Sequence, residues 1–111
     1  MEIKSRIFFA EKSIEESFKE LEHGKTEEQE LYSHILQALT NLKKNAFSSI
    51  QLPKRLIPYI YIKKYYITNL WKYDLPKGWR LIYSVGKEGI EVLFVVLEWM
   101  DHKEYEKRFG Y

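Results

Sequence analysis

Between Trp71 and Tyr83 the chain reads WKYDLPKGWRLIY, a stretch that admits few conformations. Trp71, Tyr73 and Leu75 alternate with Lys72 and Asp74. Trp79, Leu81, Tyr83 and Val85 likewise alternate with Arg80, Ile82 and Ser84, which is the period of two expected of strands. Leu75-Pro76-Lys77-Gly78 between them predicts a turn. Proline presets φ for the second position of a type I turn, and glycine takes the left-handed conformation that closes a bulged hairpin. The register so set puts Arg80 on the face opposite Trp79 and Leu81, where an arginine is either a solvated surface residue or part of a site.

Around this hairpin the remaining elements follow from spacing. Ile3, Ile7, Phe8 and Phe9 predict a short first strand. Ile14, Phe18 and Leu21 fall at helical intervals and Gly24 is expected to end that helix. Thr26 followed by Gln29 fits a capping box, with Leu31, Ile35, Leu39, Leu42 and Ala46 as the apolar stripe of a second, longer helix. Pro53 and Pro58 break the periodicity from Ser48 to Tyr66; the run Tyr59 to Tyr66 is open between a strand and a helical turn, and an irregular connection is the favoured reading. Gly86-Lys87-Glu88-Gly89 predicts another turn. Ile90 to Trp99 is apolar on both faces except at Glu91 and Glu98, as in a central strand, and 102–109 predicts a terminal helical turn. The expected fold is α+β: one domain spanning 1–111, an antiparallel sheet of about four strands, an N-terminal helical hairpin on one face, and the other face free to hold a site.

The 111 residues, 45% apolar and 16% aromatic, suffice for one small domain. No apolar run approaches the roughly 20 residues of a membrane span, and the N-terminus lacks a signal-peptide pattern, so a cytoplasmic protein without a membrane partner is expected. The absence of cysteine excludes a disulfide framework and a thiol nucleophile. His23, His34 and His102 are far apart in sequence, so neither a metal site nor a cofactor is expected. The net charge of +2 hides an asymmetry: residues 1–30 carry nine acids against five bases, and residues 54–80 carry seven bases against Asp74 alone. In that basic segment Tyr59, Tyr61, Tyr65, Tyr66, Trp71, Tyr73 and Trp79 are interleaved with the cations, a mixture that can contact phosphates and stack on bases.

Arg80 in one strand and the segment Asp101-His102-Lys103-Glu104-Tyr105 after the next are brought close if the two strands pair. With Lys107 and Arg108 following, a guanidinium, an imidazole, a phenol and ammonium groups then surround one concavity. These groups suit RNA cleavage by internal transfer: a base takes the 2′-hydroxyl proton, cations stabilise the phosphorane, and an acid protonates the leaving 5′-oxygen. Among such groups an imidazole, with an ordinary pKa of ~6.5, is the leading proton carrier near neutrality. Glu98 and Asp101 are a further carboxylate pair, of a kind more often found in salt bridges at strand ends.

The strand-helix-helix-meander order, the hairpin DLPKGWRLIYSV and the ending VLFVVLEWMDHKEYEKRFG together resemble the RelE/ParE toxin superfamily of toxin-antitoxin modules, most of all archaeal RelE-like members. The resemblance implies a ribosome-dependent mRNA endonuclease silenced by a cognate antitoxin. Arg80 matches the arginine that contacts the scissile phosphate. His102 and Tyr105 lie where the family places acid, base or base-stacking residues, and Lys72, Lys103, Lys64 and Arg108 would contact RNA. A second basic position on the Lys72 strand is Asp74 here, a departure from the pattern. Two alternatives stay open: a non-enzymatic, gyrase-poisoning ParE-like protein, or an inactive homologue that only binds its antitoxin.

Overall fold

The computed structural model describes residues 4–45 and 48–110. Ile3 and Ala46, assigned above to a strand and to a helix stripe, lie outside that range. The element order is β1 (Ser5–Phe9), α1 (Lys12–Leu21), α2 (Thr26–Lys44), β2 (Ile50–Leu52), α3 (Tyr59–Tyr65), β3 (Leu70–Asp74), β4 (Arg80–Glu88), β5 (Glu91–Met100) and α4 (His102–Phe109), with short 3₁₀ turns at Lys54–Leu56 and Pro76–Gly78. The fold is α+β, with a five-stranded sheet in the order β1-β5-β4-β3-β2. That sheet is mixed. β2, β3, β4 and β5 are antiparallel neighbours, whereas β1 lies parallel to β5 with Ser5 opposite Val92.

The β3–β4 hairpin has the predicted alternation, with Trp71 opposite Tyr83 and Asp74 opposite Arg80. Its turn is tighter than a single left-handed glycine: Lys77 (φ 62) joins Gly78 (φ 80) in the left-handed region. Lys77 Nζ is held 2.6 Å from Glu30 Oε2 of α2, an ion pair that anchors the strained residue. At the second hairpin the expected Gly86–Gly89 turn gives way to continued strand. β4 runs to Glu88, and a two-residue turn at Gly89-Ile90, with Gly89 at φ 61, returns the chain at Glu91.

The helical hairpin forms with different end chemistry. Thr26 is the first helical residue and Lys25 occupies the cap position, where its backbone N–H donates to Glu28 Oε1 (3.2 Å), while Gln29 Nε2 donates to the Gly24 carbonyl (2.9 Å). Gly24 is not left-handed. What it provides is room, since a Cβ there would come within 2.7 Å of the Glu28 carboxyl.

One sheet face carries Trp71, Leu81, Tyr83, Phe94 and Val96 against Phe18, Leu31, Ile35, Leu39 and Leu42 of α1 and α2. The opposite face, expected to be free, is covered. Leu52, Leu70, Ile82, Leu97 and Met100 pack there with Tyr61 of α3 and with Tyr105 and Phe109 of α4. The segment 48–66 is therefore an edge strand and a helix rather than an irregular connection. Pro58 opens α3, as a residue with preset φ and no N–H can, and Tyr66 closes it in the left-handed conformation. A bulge adjusts the two faces: Ile82 pairs with Glu98 but Tyr83 with Val96, so Leu97 is the extra residue and the strand changes phase.

Because Ile82 is completely enclosed, Ile82→Ala should destabilise the fold by about 2–5 kcal/mol in urea unfolding. Ile90→Ala, at a position 84% exposed, should change it by no more than about 0.5 kcal/mol.

Candidate functional site

β3 and β4 place Lys72, Asp74 and Arg80 on the sheet face covered by α4. Asp74 Oδ1 lies 2.9 Å from Arg80 Nε and 3.2 Å from Lys72 Nζ, so one carboxylate oxygen serves two cations. Beneath them is the Tyr105 ring, with the Arg80 guanidinium carbon and Lys72 Nζ each 5.4 Å from its centroid. Both cations are largely desolvated, with side chains 16% and 17% exposed, where attraction to a ring face and to an anion is stronger than in water. Arg80 Nη1 donates to the Trp79 carbonyl at 3.3 Å, whereas the buried Nε–H, although close to Asp74, is not aligned with any acceptor among the described residues. The cluster is thus a cationic seat with an oxyanion already in it and a donor to spare.

His102 opens α4 beside this seat. The β4–β5 register sets Arg80 opposite Met100, two residues before the histidine, and a Cβ built on Gly78 would lie 3.5 Å from the His102 Cβ. The imidazole is exposed and its Nε2 sits 2.7 Å from Glu106 Oε1, one helical turn on. Glu106 was missed from the sequence, although the i, i+4 spacing of the two residues in a terminal helix was a readable signal. Asp101 caps that helix, its Oδ1 accepting from the Glu104 N–H at 2.9 Å.

The other predicted residues are placed differently. Tyr105 is only 3% exposed and stacks on Phe109 with centroids 4.5 Å apart, so its ring supports the cations and is not open to a base. Lys103 is exposed and lines a separate cleft of about 500 Å³ with Trp79, Lys107 and Arg108. Lys64 is on α3 and pairs with Glu11 at 3.2 Å, which holds its ammonium pKa above the usual lysine value. Arg108 is committed to the interior. Its Nη1 reaches Glu98 Oε2 at 2.7 Å and donates to the Tyr61 hydroxyl at 3.1 Å, and its Nη2 meets Glu104 at 3.1 Å. The Tyr61 hydroxyl also donates to Glu98, which makes that carboxylate the tie between α3, α4 and β5 rather than half of a catalytic pair with Asp101. Among the described residues no group of three His, Cys, Asp or Glu side chains could hold a metal ion, and no helix is long and apolar enough to cross a membrane.

No protein-family model, curated protein or solved structure matches this chain. The geometry of the Lys72–Asp74–Arg80 seat is therefore the ground for any functional reading.

Two phenols in the core make the fold sensitive to alkali. Burial, and then the Glu98 carboxylate, push Tyr61 far above the ordinary tyrosine value, and burial pushes Tyr83 up to about 12. In the unfolded chain both ionise near the ordinary tyrosine value of about 10, so above that pH the unfolded state binds fewer protons than the folded one. Their contribution should be complete below pH 10 and decline as pH rises toward 12. Urea midpoints across that range should fall more steeply for the parent than for Tyr83→Phe; equal slopes would remove Tyr83 from the account.

Proposed function

We propose that the chain is a RelE-like toxin of a toxin-antitoxin module, a cytoplasmic endoribonuclease that cuts message bound in the ribosome without metal. The observation that carries this reading is the pair of desolvated cations, Lys72 and Arg80, held over one ring with a misaligned guanidinium donor and a carboxylate in the place of a phosphate. An RNA phosphate displacing Asp74 would meet the same two cations, with Arg80 able to offer two parallel N–H groups as charge builds on the phosphorane. His102, steadied by Glu106, takes the proton of the 2′-hydroxyl. The 2′-oxygen attacks phosphorus to form a 2′,3′-cyclic phosphate, and the 5′-oxygen leaves with a proton drawn from water. Tyr105 is a positioning residue on this account. The polyanionic ribosome would be approached by the basic middle of the chain, and a cognate antitoxin with an acidic amphipathic segment would silence it.

In translation reactions on purified ribosomes, read by primer extension, the parent should cut at the A site. Arg80→Ala should lower that cutting about 100-fold or more, and His102→Ala by a similar factor. Asp74→Asn should increase it by emptying the seat.

Asp74 also favours a second reading, in which the carboxylate permanently occupies the seat. An intact message with both the parent and Asp74→Asn would sink the nuclease. Blocked supercoiling would then point to a ParE-like, non-enzymatic gyrase inhibitor, and no effect on either process to an inactive homologue that only binds its antitoxin.

A further inference from the structure

The basic, aromatic stretch from Lys54 to Arg80 is mostly consumed by the fold. Tyr61 and Trp71 are buried, Tyr65 donates to Glu11 at 3.1 Å, Tyr73 accepts from Asn41 at 2.8 Å, and Trp79 packs on the core under α1 and α2. Two rings remain in solvent: Tyr59, 72% exposed, and Tyr66, 86% exposed. The cations divide the same way. Lys64, Lys72, Lys77 and Arg80 are ion-paired. Lys54, Arg55 and Lys63 are exposed and form no ion pair among the described residues.

These leftovers lie together. Tyr59 and Lys63 are one helical turn apart on α3, Tyr66 ends the same helix, and Lys54 and Arg55 form the turn leading into it. Tyr66 is exposed and adopts a left-handed backbone (φ 55), a conformation that costs a non-glycine residue energy. Exposed Ile60 and Ile62 extend the apolar part of the patch. No acidic residue occurs between Glu30 and Asp74; Glu11, at the start of α1, pairs with Lys64, and Glu98 is held by Tyr61 and Arg108. Tyr59 and Tyr66 are seven residues apart, about 10 Å along a helix, far enough for each to take a separate base of one strand.

We propose that this face of α3 binds single-stranded nucleic acid without sequence preference. The Tyr59 and Tyr66 rings stack on bases while Lys54, Arg55 and Lys63 neutralise phosphates. An acidic protein partner would account for the cations but not for two open rings flanking one of them. This surface is separate from the Lys72–Asp74–Arg80 seat and does not depend on cleavage there.

The test is fluorescence anisotropy of a labelled, unpaired RNA of about a dozen nucleotides, titrated with the full chain at several salt concentrations. Three phosphate contacts predict a log–log salt slope near −2, and Lys63→Gln should reduce its magnitude by roughly 0.7. Tyr59→Ala and Tyr66→Ala should each weaken binding about fivefold or more, with phenylalanine at either position restoring it. A duplex of the same sequence, whose bases are closed to the rings, should bind more weakly. Circular dichroism checks that these surface variants stay folded. Absence of binding overturns the proposal, as does binding that is equal for the duplex and indifferent to loss of the rings. In an Arg80→Ala background, which removes the seat's phosphate contact, the losses caused by Tyr59→Ala and Tyr66→Ala should persist, so the two readings fail separately.

Discussion

β4 is enclosed from both sides: Leu81, Ile82 and Tyr83, which point alternately to opposite faces, are all at 0% exposure. A strand of that kind must be covered twice, because apolar surface left in water forfeits roughly 25 cal/mol for each Å². One cover is the α1–α2 hairpin. The other is assembled from two short helices, α3 and α4, neither of which has enough apolar surface to form a core alone. Their joint seating depends on the Leu97 bulge. By shifting the phase of β5 it turns Trp99 toward α1 and α2, and Met100 toward α4. Glu98 then faces α3 and α4, where it accepts from Tyr61 and binds Arg108.

The candidate site is a by-product of that packing. Once α4 lies over the sheet, Tyr105 slides beneath Lys72 and Arg80 and removes much of their water. Desolvated cations need compensation, and the ring and Asp74 supply it together. On the proposed function, the carboxylate that stabilises the free protein is also what an incoming phosphate would displace, so stability and anion binding would oppose each other at one oxygen. This explains why an acid on a strand otherwise suited to phosphate contact is compatible with a functional seat as well as with a silent one.

Much of the frame was readable beforehand. The hairpin from Trp71 to Tyr83, the long second helix, the central strand and the terminal helix are local in origin. Alternation, helical spacing and a Pro-Lys-Gly turn specify them without help from elsewhere. α3 was not readable, since Tyr59-Ile60-Tyr61-Ile62 carries residues that favour strands as much as helices. Its helicity comes from Pro58 before it and from burial of Tyr61 between sheet and α4. The parallel place of β1 beside β5 was equally hidden, because pairing partners are chosen by the whole sheet. For the site, the side of the sheet on which Arg80 would lie followed from alternation, but its company did not. Nothing local said that Arg108 would be spent on Glu98, or that Asp74 would bridge both cations.

By itself the sequence determined the strands of the meander, the direction in which Arg80 leaves its strand, and the basic character of the middle of the chain. Those properties depend on neighbours within a few residues, where steric preference and periodicity act directly. Only the tertiary structure decided which cations are paired, which aromatics stay in water, and that the second face of the sheet is covered. Each of these is settled by contacts between residues distant in sequence, and a one-residue bulge is enough to move a carboxylate from one face to the other.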